Sequence, residues 1–353
     1  MTNTAAYVQG IHHVTSIASD PQRNIDFYAK ILGLRLVKVT VNFDDPTTYH
    51  LYYGDELGRP GTILTFFPWP NAPKGRRGNG QAVATSFSIP ENATDFWMDR
   101  FKHEGIGFTN PSTRFGGNEQ VITFYDPDGL ELELVAHKSA SHKNNSIWRN
   151  SPIPFEYAIR GFYSVTLAVE GYERTASILT KQLDFQPTHK EGSRFRYEIT
   201  RNGNNKNDNE GPGSIVDVLC LPYSPPGSMG VGTVHHVAWR TPTDKQQTNL
   251  RREILKQGYN ATPVIDRIYF HSVYFREPGG VLFEIATNPP GFAIDEEIEE
   301  LGNHLLLPPW LEPDRKSLEK ILPKINLPSS QKSAKVTTRE ENEIREEQNG
   351  RAK

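Results

Sequence analysis

Two histidine pairs stand at matching places in two closely similar stretches, G-I-H-H-V-T-S-I from Gly10 to Ile17 and T-V-H-H-V-A-W-R from Thr233 to Arg240. Eleven histidines placed at random along 353 residues would give fewer than one adjacent pair. Neutral imidazoles are common metal ligands, and two of them with one carboxylate make a facial set that leaves open positions on the ion. The carboxylate candidate is Glu284, set in the apolar run VLFEIA. An unpaired carboxylate buried there would be costly, so it needs a metal ion or, as the alternative, a buried arginine. Consecutive strand residues point to opposite faces, so only one histidine of each pair can enter a given cavity.

The elements that must position these residues form a repeat. Both histidine stretches have β-strand character and precede an apolar pattern of helical spacing: Ile25, Phe27, Tyr28, Ile31 and Leu32 in the first, Leu250, Ile254 and Leu255 in the second. Glycines at Gly33 and Gly258 suit helix ends. Weaker copies begin at Ala84–Ile89 and Gly161–Leu167, and each helix is followed by short β-like runs separated by turn residues. The chain thus reads as α+β, with four βαβββ modules over 8–70, 80–138, 158–224 and 231–290. A C-terminal extension covers 291–327, and a polar, charged tail over 328–353 is expected to be disordered. The polar stretch from Asn202 to Gly213 reads as a loop insertion in the third module.

Aligning the modules selects within each pair. His13 and His236 share a register with Ala84 and Ser164. Four residues beyond the turn glycines Gly280, Gly129, Gly61 and Gly213 stand Glu284, Glu133, Thr65 and Asp217. The candidate metal ligands are therefore His13, His236 and Glu284, with no fourth carboxylate at Thr65. Glu133 is expected to be an exposed alternating residue or a remnant without histidine partners. For these ligands to meet, module 1 must pack beside module 4, leaving modules 2 and 3 to pair with each other. The ligand set suits non-haem Fe(II) and reaction with dioxygen.

Composition narrows the setting. A net charge of -3 offers no electrostatic case for nucleic acid or an anionic membrane, and no apolar run is long enough to span a bilayer. The single cysteine, Cys220, reads as a small buried hydrophobe, and the chain is expected to be soluble and cytoplasmic, with a homo-oligomer open.

The segments GIHHVTSIASDPQRNIDFY, YHLYYGDELGRPGT, VHHVAW and DRIYFHSVYFREPGGVLFE resemble the vicinal oxygen chelate superfamily, and more narrowly its hydroquinone-type ring-cleaving dioxygenases. The resemblance runs along about 1–300 of the chain. It implies two cupped-sheet domains and Fe(II), with Mn(II) less favoured, on His13, His236 and Glu284. It also implies a small aromatic diol and O2 as reactants, the diol a hydroquinone or alternatively a catechol. Tyr274, Arg267 and His12 match residues that act near the substrate, and His235 and Thr15 match outer groups around the metal. Two rival readings are a glyoxalase-like metalloenzyme, which commonly takes a second glutamate, and a protein that binds an aromatic compound without turnover.

Overall fold

The computed structural model describes residues 8–117, 119–142 (141 and 142 by backbone alone), 147–199 and 213–328. The insertion expected at Asn202 to Gly213 lies outside the described residues except for Gly213, and so does the tail from 329 onward.

Four times the chain runs strand, helix and three strands. The first set is β1 (Ile11–Ala18), α1 (Pro21–Ile25), β2 (Arg35–Asn42), β3 (Asp45–Gly54) and β4 (Ile63–Pro68). The second is β5 (Gln81–Pro90), α2 (Thr94–His103), β6 (Ser112–Arg114), β7 (Glu119–Tyr125) and β8 (Glu131–His137). The third is β9 (Phe162–Val169), α3 (Tyr172–Lys181), β10 (Gln186–Glu191), β11 (Arg194–Glu198) and β12 (Ile215–Cys220). The fourth is β13 (Val234–Thr241), α4 (Asp244–Lys256), β14 (Ile265–Asp266), β15 (Phe270–Arg276) and β16 (Leu282–Pro290). The turns before β8 and β16 need glycine: Gly129 and Gly280 have φ of 85° and 103°, where a side chain would strain the backbone.

These strands form two curled eight-stranded sheets. The first has the order β14-β15-β16-β13-β1-β4-β3-β2 and joins the two ends of the chain; the second, β10-β11-β12-β9-β5-β8-β7-β6, joins its middle. In each, the opening strands of two modules meet antiparallel at the centre, β1 with β13 and β5 with β9. The closing strands lie parallel outside them. This is the expected pairing of module 1 with module 4 and of module 2 with module 3. Every residue of β1 is buried, because the strand is central in its sheet and covered on both faces.

The sheets are joined through their turns and helices. Asp128, in the turn before β8, accepts from Ser19 N and Oγ and from the Arg23 guanidinium of α1, and Asp126 accepts from the Tyr28 hydroxyl. The related turn before β16 reaches the helix of its own neighbour, Glu277 accepting from Thr175 Oγ1 of α3 at 2.8 Å. The C-terminal extension, with a short helix α5 (Arg315–Ile321), packs on the first sheet. Its anchor is Lys38, whose buried ammonium meets Asp295 at 2.7 Å and Glu296 at 2.5 Å. No helix among the described residues is long and apolar enough to cross a membrane.

Three expectations are corrected. The first helix is α-helical only to Ile25 and continues as a π-helix over Asp26–Ile31, which still buries Phe27, Tyr28 and Ala29. Leu255 is exposed on α4, and Gln247 takes a core position instead, its amide donating to the backbone oxygens of His271 and Ile285. Cys220 is half-buried at the end of its strand rather than a core residue.

Candidate metal centre

His13 comes from β1, His236 from β13 and Glu284 from β16, and strand register brings them together. Ala238 on β13 pairs with His13 on one side and with Glu284 on the other, and His236 lies opposite Thr15. The ligand-capable atoms of the three residues lie within 4.8 Å of one another, and all three residues are buried. His13 Nε2 and His236 Nε2 are 3.2 Å apart, and Glu284 Oε2 is 3.2 Å from the first and 2.9 Å from the second.

The outer partners decide which atoms carry protons. His12 Nε2 is 3.1 Å from the Thr287 carbonyl, which can only accept, so that nitrogen carries the hydrogen. Burial, with His13 acting in the same direction, holds the His12 ring well below its usual pKa and therefore neutral. Its bare Nδ1 must accept from His13 Nδ1–H at 2.9 Å, which leaves His13 Nε2 as a lone pair facing Glu284 and His236. His235 Nδ1 lies 2.8 Å from His236 Nδ1, and burial pushes the His235 pKa down to about 3. Ser272 Oγ donates to Glu284 Oε1 at 2.5 Å.

Glu284 Oε2 then has no hydrogen-bond donor among the described residues despite the two nitrogens beside it. Burial raises the Glu284 carboxyl, but charge and hydrogen bonds from His13 and His236 outweigh this and hold it well below the usual range, so a proton on these imidazoles, or a cation in its place, keeps the carboxylate ionised. Two imidazole lone pairs and one carboxylate oxygen aimed at a common point, with net charge of minus one, are what a divalent cation requires.

A cleft opens on this point, lined by His13, His236, Phe67, Phe270, Arg267 and Tyr274 among others. Tyr274 stands edge-on to His236, with ring centres 5.5 Å apart, and burial with Glu284 nearby raises its phenol. Arg267 lies 5.6 Å from the centre of the Tyr274 ring and pairs with Asp44 at 2.8 Å, so it reaches both the ion pair and the cleft. Thr15 bonds Thr65 between hydroxyls at 2.9 Å. His12 does not line the cleft and stands behind His13, reaching it through the ring contact; His235 lies edge-on to Phe67.

Reading the sequence missed His50, Tyr52, Asp44 and Ser272. The first two lie two residues apart in YHLYYG and were available from alignment with FHSVYF, where Ser272 and Tyr274 have the same spacing. Of the two expectations for Glu133, the exposed one is corrected: it is buried at 2% exposure and held by the Arg114 guanidinium at 2.5 and 2.9 Å.

The glyoxalase/bleomycin resistance protein/dioxygenase superfamily matches this chain twice, over residues 10–134 and 161–285. A Bacillus subtilis chain with the provisional name ring-cleaving dioxygenase MhqO is 45% identical over 315 residues, covering 89% of this chain and 96% of its own. The chlorohydroquinone/hydroquinone 1,2-dioxygenase of Sphingobium indicum is 34% identical, covering 86% and 93%. A solved Bacillus subtilis structure, provisionally described as a dioxygenase, superimposes with a TM-score of 0.84 at 44% identity, over 91% of this chain and 99% of that one. Glyoxalase I from Zea mays shares the fold at 16% identity, with a TM-score of 0.57.

Proposed function

Since the chain belongs to the glyoxalase/bleomycin resistance protein/dioxygenase superfamily, we propose that it opens the ring of a hydroquinone-type para-diol with O2 at an Fe(II) ion held by His13, His236 and Glu284. The observation that carries this reading is the buried Glu284 Oε2, without a donor and facing two imidazole nitrogens. An arginine partner for Glu284 would have spoken for a structural carboxylate. The fourth related position holds Thr65, paired with Tyr52 across β3 and β4, and a threonine leaves the ion more open than the second glutamate of a glyoxalase-like site would.

When bound, the ion supplies a redox-active centre with open positions for a substrate oxygen and dioxygen. The protein orients and shields. His12 and Ser272 fix the lone pairs of His13 and Glu284 toward the ion. Phe67 and Phe270 give the cleft apolar walls suited to a flat ring. The raised Tyr274 phenol stays protonated at neutral pH and can donate a hydrogen bond to an oxygen near His236. Arg267 supplies a fixed positive charge in the same cleft for a phenolate oxygen. A cytoplasmic location fits an enzyme that works with ferrous iron.

Anaerobic loading with Fe(II), followed by an oxygen electrode, tests the reading. Hydroquinone, methylhydroquinone or a chlorinated hydroquinone should consume one O2 per ring and give an opened product. Stoichiometric iron with no oxygen uptake on any of these or on catechol would sink it; uptake on catechol alone would move the substrate to an ortho-diol.

A further inference from the structure

Strand register relates the two sides of the cleft. On β16, Glu284 lies opposite Tyr274 of β15; on β4, Thr65 lies opposite Tyr52 of β3. Glu284 and Thr65 are themselves equivalent, since they pair with Ala238 and Thr15 on the two central strands. Tyr52 is thus the repeat counterpart of Tyr274, and His50, two residues earlier, that of Ser272. The bonding is parallel as well. Ser272 bonds the Glu284 carboxylate, and His50 Nε2 bonds Thr65 Oγ1 at 2.8 Å.

His50 bonds through both nitrogens, the second, Nδ1, meeting the Tyr52 hydroxyl at 2.7 Å. A hydrogen-bonded chain runs from Tyr52 through His50 and Thr65 to Thr15, and both His50 and Tyr52 face the cleft. The His50 ring packs against Tyr52 and Phe67, with ring centres 4.0 and 4.4 Å away. A neutral imidazole donates at one nitrogen and accepts at the other. In either tautomer the Tyr52 hydroxyl keeps a hydrogen-bonding valence, and His50 is its only partner among the described residues. The phenol also lies within electrostatic reach of Tyr274 and Arg267 on the other wall. A polar group this well anchored, in a cleft with phenylalanine walls, is suited to an oxygen on the ligand.

We propose that Tyr52, fixed by His50, binds the hydroxyl of the para-diol that is not on the metal, and so distinguishes a diol from a ring with one oxygen. This rests on the para-diol reading above. A ring with oxygens at opposite ends leaves one of them away from the ion, and the two-walled cleft then offers that oxygen Tyr52 from module 1 as well as Arg267 from module 4.

The test measures binding of hydroquinone and of 4-methylphenol, a ring of similar length without the second oxygen, to Fe(II)-loaded protein without O2. The intact protein should prefer hydroquinone, and Tyr52→Phe should weaken hydroquinone about tenfold, the scale of one neutral hydrogen bond, while leaving 4-methylphenol within twofold. Iron per chain and melting temperature should not change. His50→Phe keeps the ring stack but frees the phenol, and should lower the preference in the same direction by less. Equal weakening of both ligands, no weakening of either, or loss of iron in Tyr52→Phe would each overturn the inference. The wild type's oxygen uptake with hydroquinones separates the two claims: uptake with an unaffected Tyr52→Phe removes this inference alone, whereas no uptake removes the ring-opening reading beneath it.

Discussion

Two sheets of the same design have solved the same electrostatic problem in opposite ways. Each places carboxylates at the heart of its curl: Glu284 in the first sheet, Glu133 and Asp217 at the related register positions in the second. All three are buried. Where the first sheet has His13 and His236, the second has Ala84 and Ser164, which cannot hold an ion. It supplies positive charge from its own side chains instead. Arg114 grips Glu133; Arg196 bonds Asp217 at 2.7 and 3.0 Å and also Glu119; Arg194 reaches Asp217 at 3.1 Å. Three guanidiniums face three carboxylates, and no oxygen of those carboxylates lacks a partner among the described residues. Arg196 even occupies the register position of Tyr274, opposite the closing carboxylate. A neutralised centre is finished as a structure; a centre left one charge negative, with an oxygen lacking a donor, needs something from outside.

The widest separation between the two centres should come from His236→Ala. Iron per chain should fall to background and oxygen uptake should drop by more than about a hundredfold, beyond the 10–100-fold typical of outer-shell changes. Metal analysis and an oxygen electrode check this, and a chelator acting on the intact protein should reproduce it. Arg196→Met should do the reverse. It leaves Asp217 and Glu119 short of their main partner, so urea denaturation should show a loss of about 3–5 kcal/mol with iron per folded chain unchanged. If Arg196→Met also removed the iron, the two sheets would not hold separate centres.

What could be read beforehand follows from what a repeat preserves. Strand register survives in aligned sequence, because slipping by one residue would exchange the faces of a strand. Alignment therefore places His13 with His236 and Glu284 with Thr65, Glu133 and Asp217, and the strands pair in that register. Side-chain partners from edge strands are not carried by such alignment. Glu133, in the alternating run LELEL, looks like a surface residue unless Arg114 from the three-residue strand β6 is known to reach it. The π-turn after Ile25 was equally hidden, since one extra residue in a helical turn leaves the apolar spacing nearly intact. His50 and Tyr52 were legible in principle. Histidine pairs and strand glutamates mark metal ligands in a sequence, whereas a single histidine in a strand carries no such mark.

The mode of neutralisation in the second sheet can be probed by removing a whole pair. Arg114→Met alone leaves Glu133 buried with only the Ser86 hydroxyl, at 2.6 Å, and Arg194 nearby, and should cost up to about 3 kcal/mol, less than Arg196 because Arg114 is partly exposed. Adding Glu133→Met should recover most of that loss, since the expensive state is one unpaired charge rather than no charges. Denaturation of the two variants side by side decides it, and a double variant less stable than Arg114→Met would mean that the pair contributes more than mutual neutralisation.

The smallest effect, and the finest distinction, belongs to His12. It never enters the cleft, yet it sets the His13 tautomer through a chain anchored at the Thr287 carbonyl. His12→Phe keeps a flat ring beside Phe270 but removes the acceptor for His13 Nδ1–H. The His13 ring is then free to present a protonated Nε2 to the ion for part of the time. Competition against a chelator should show iron held about 10–100-fold more weakly, while oxygen uptake at saturating iron falls far less. Stability to urea should change little, because the polar partners lost are few and a buried ring is replaced by a ring. The second sheet has no counterpart to this variant: Val83, the residue before Ala84, is not a histidine, and its substitution should leave iron affinity where it was. An unchanged iron affinity in His12→Phe would mean that the strand alone orients His13, and that the first histidine of the pair is packing.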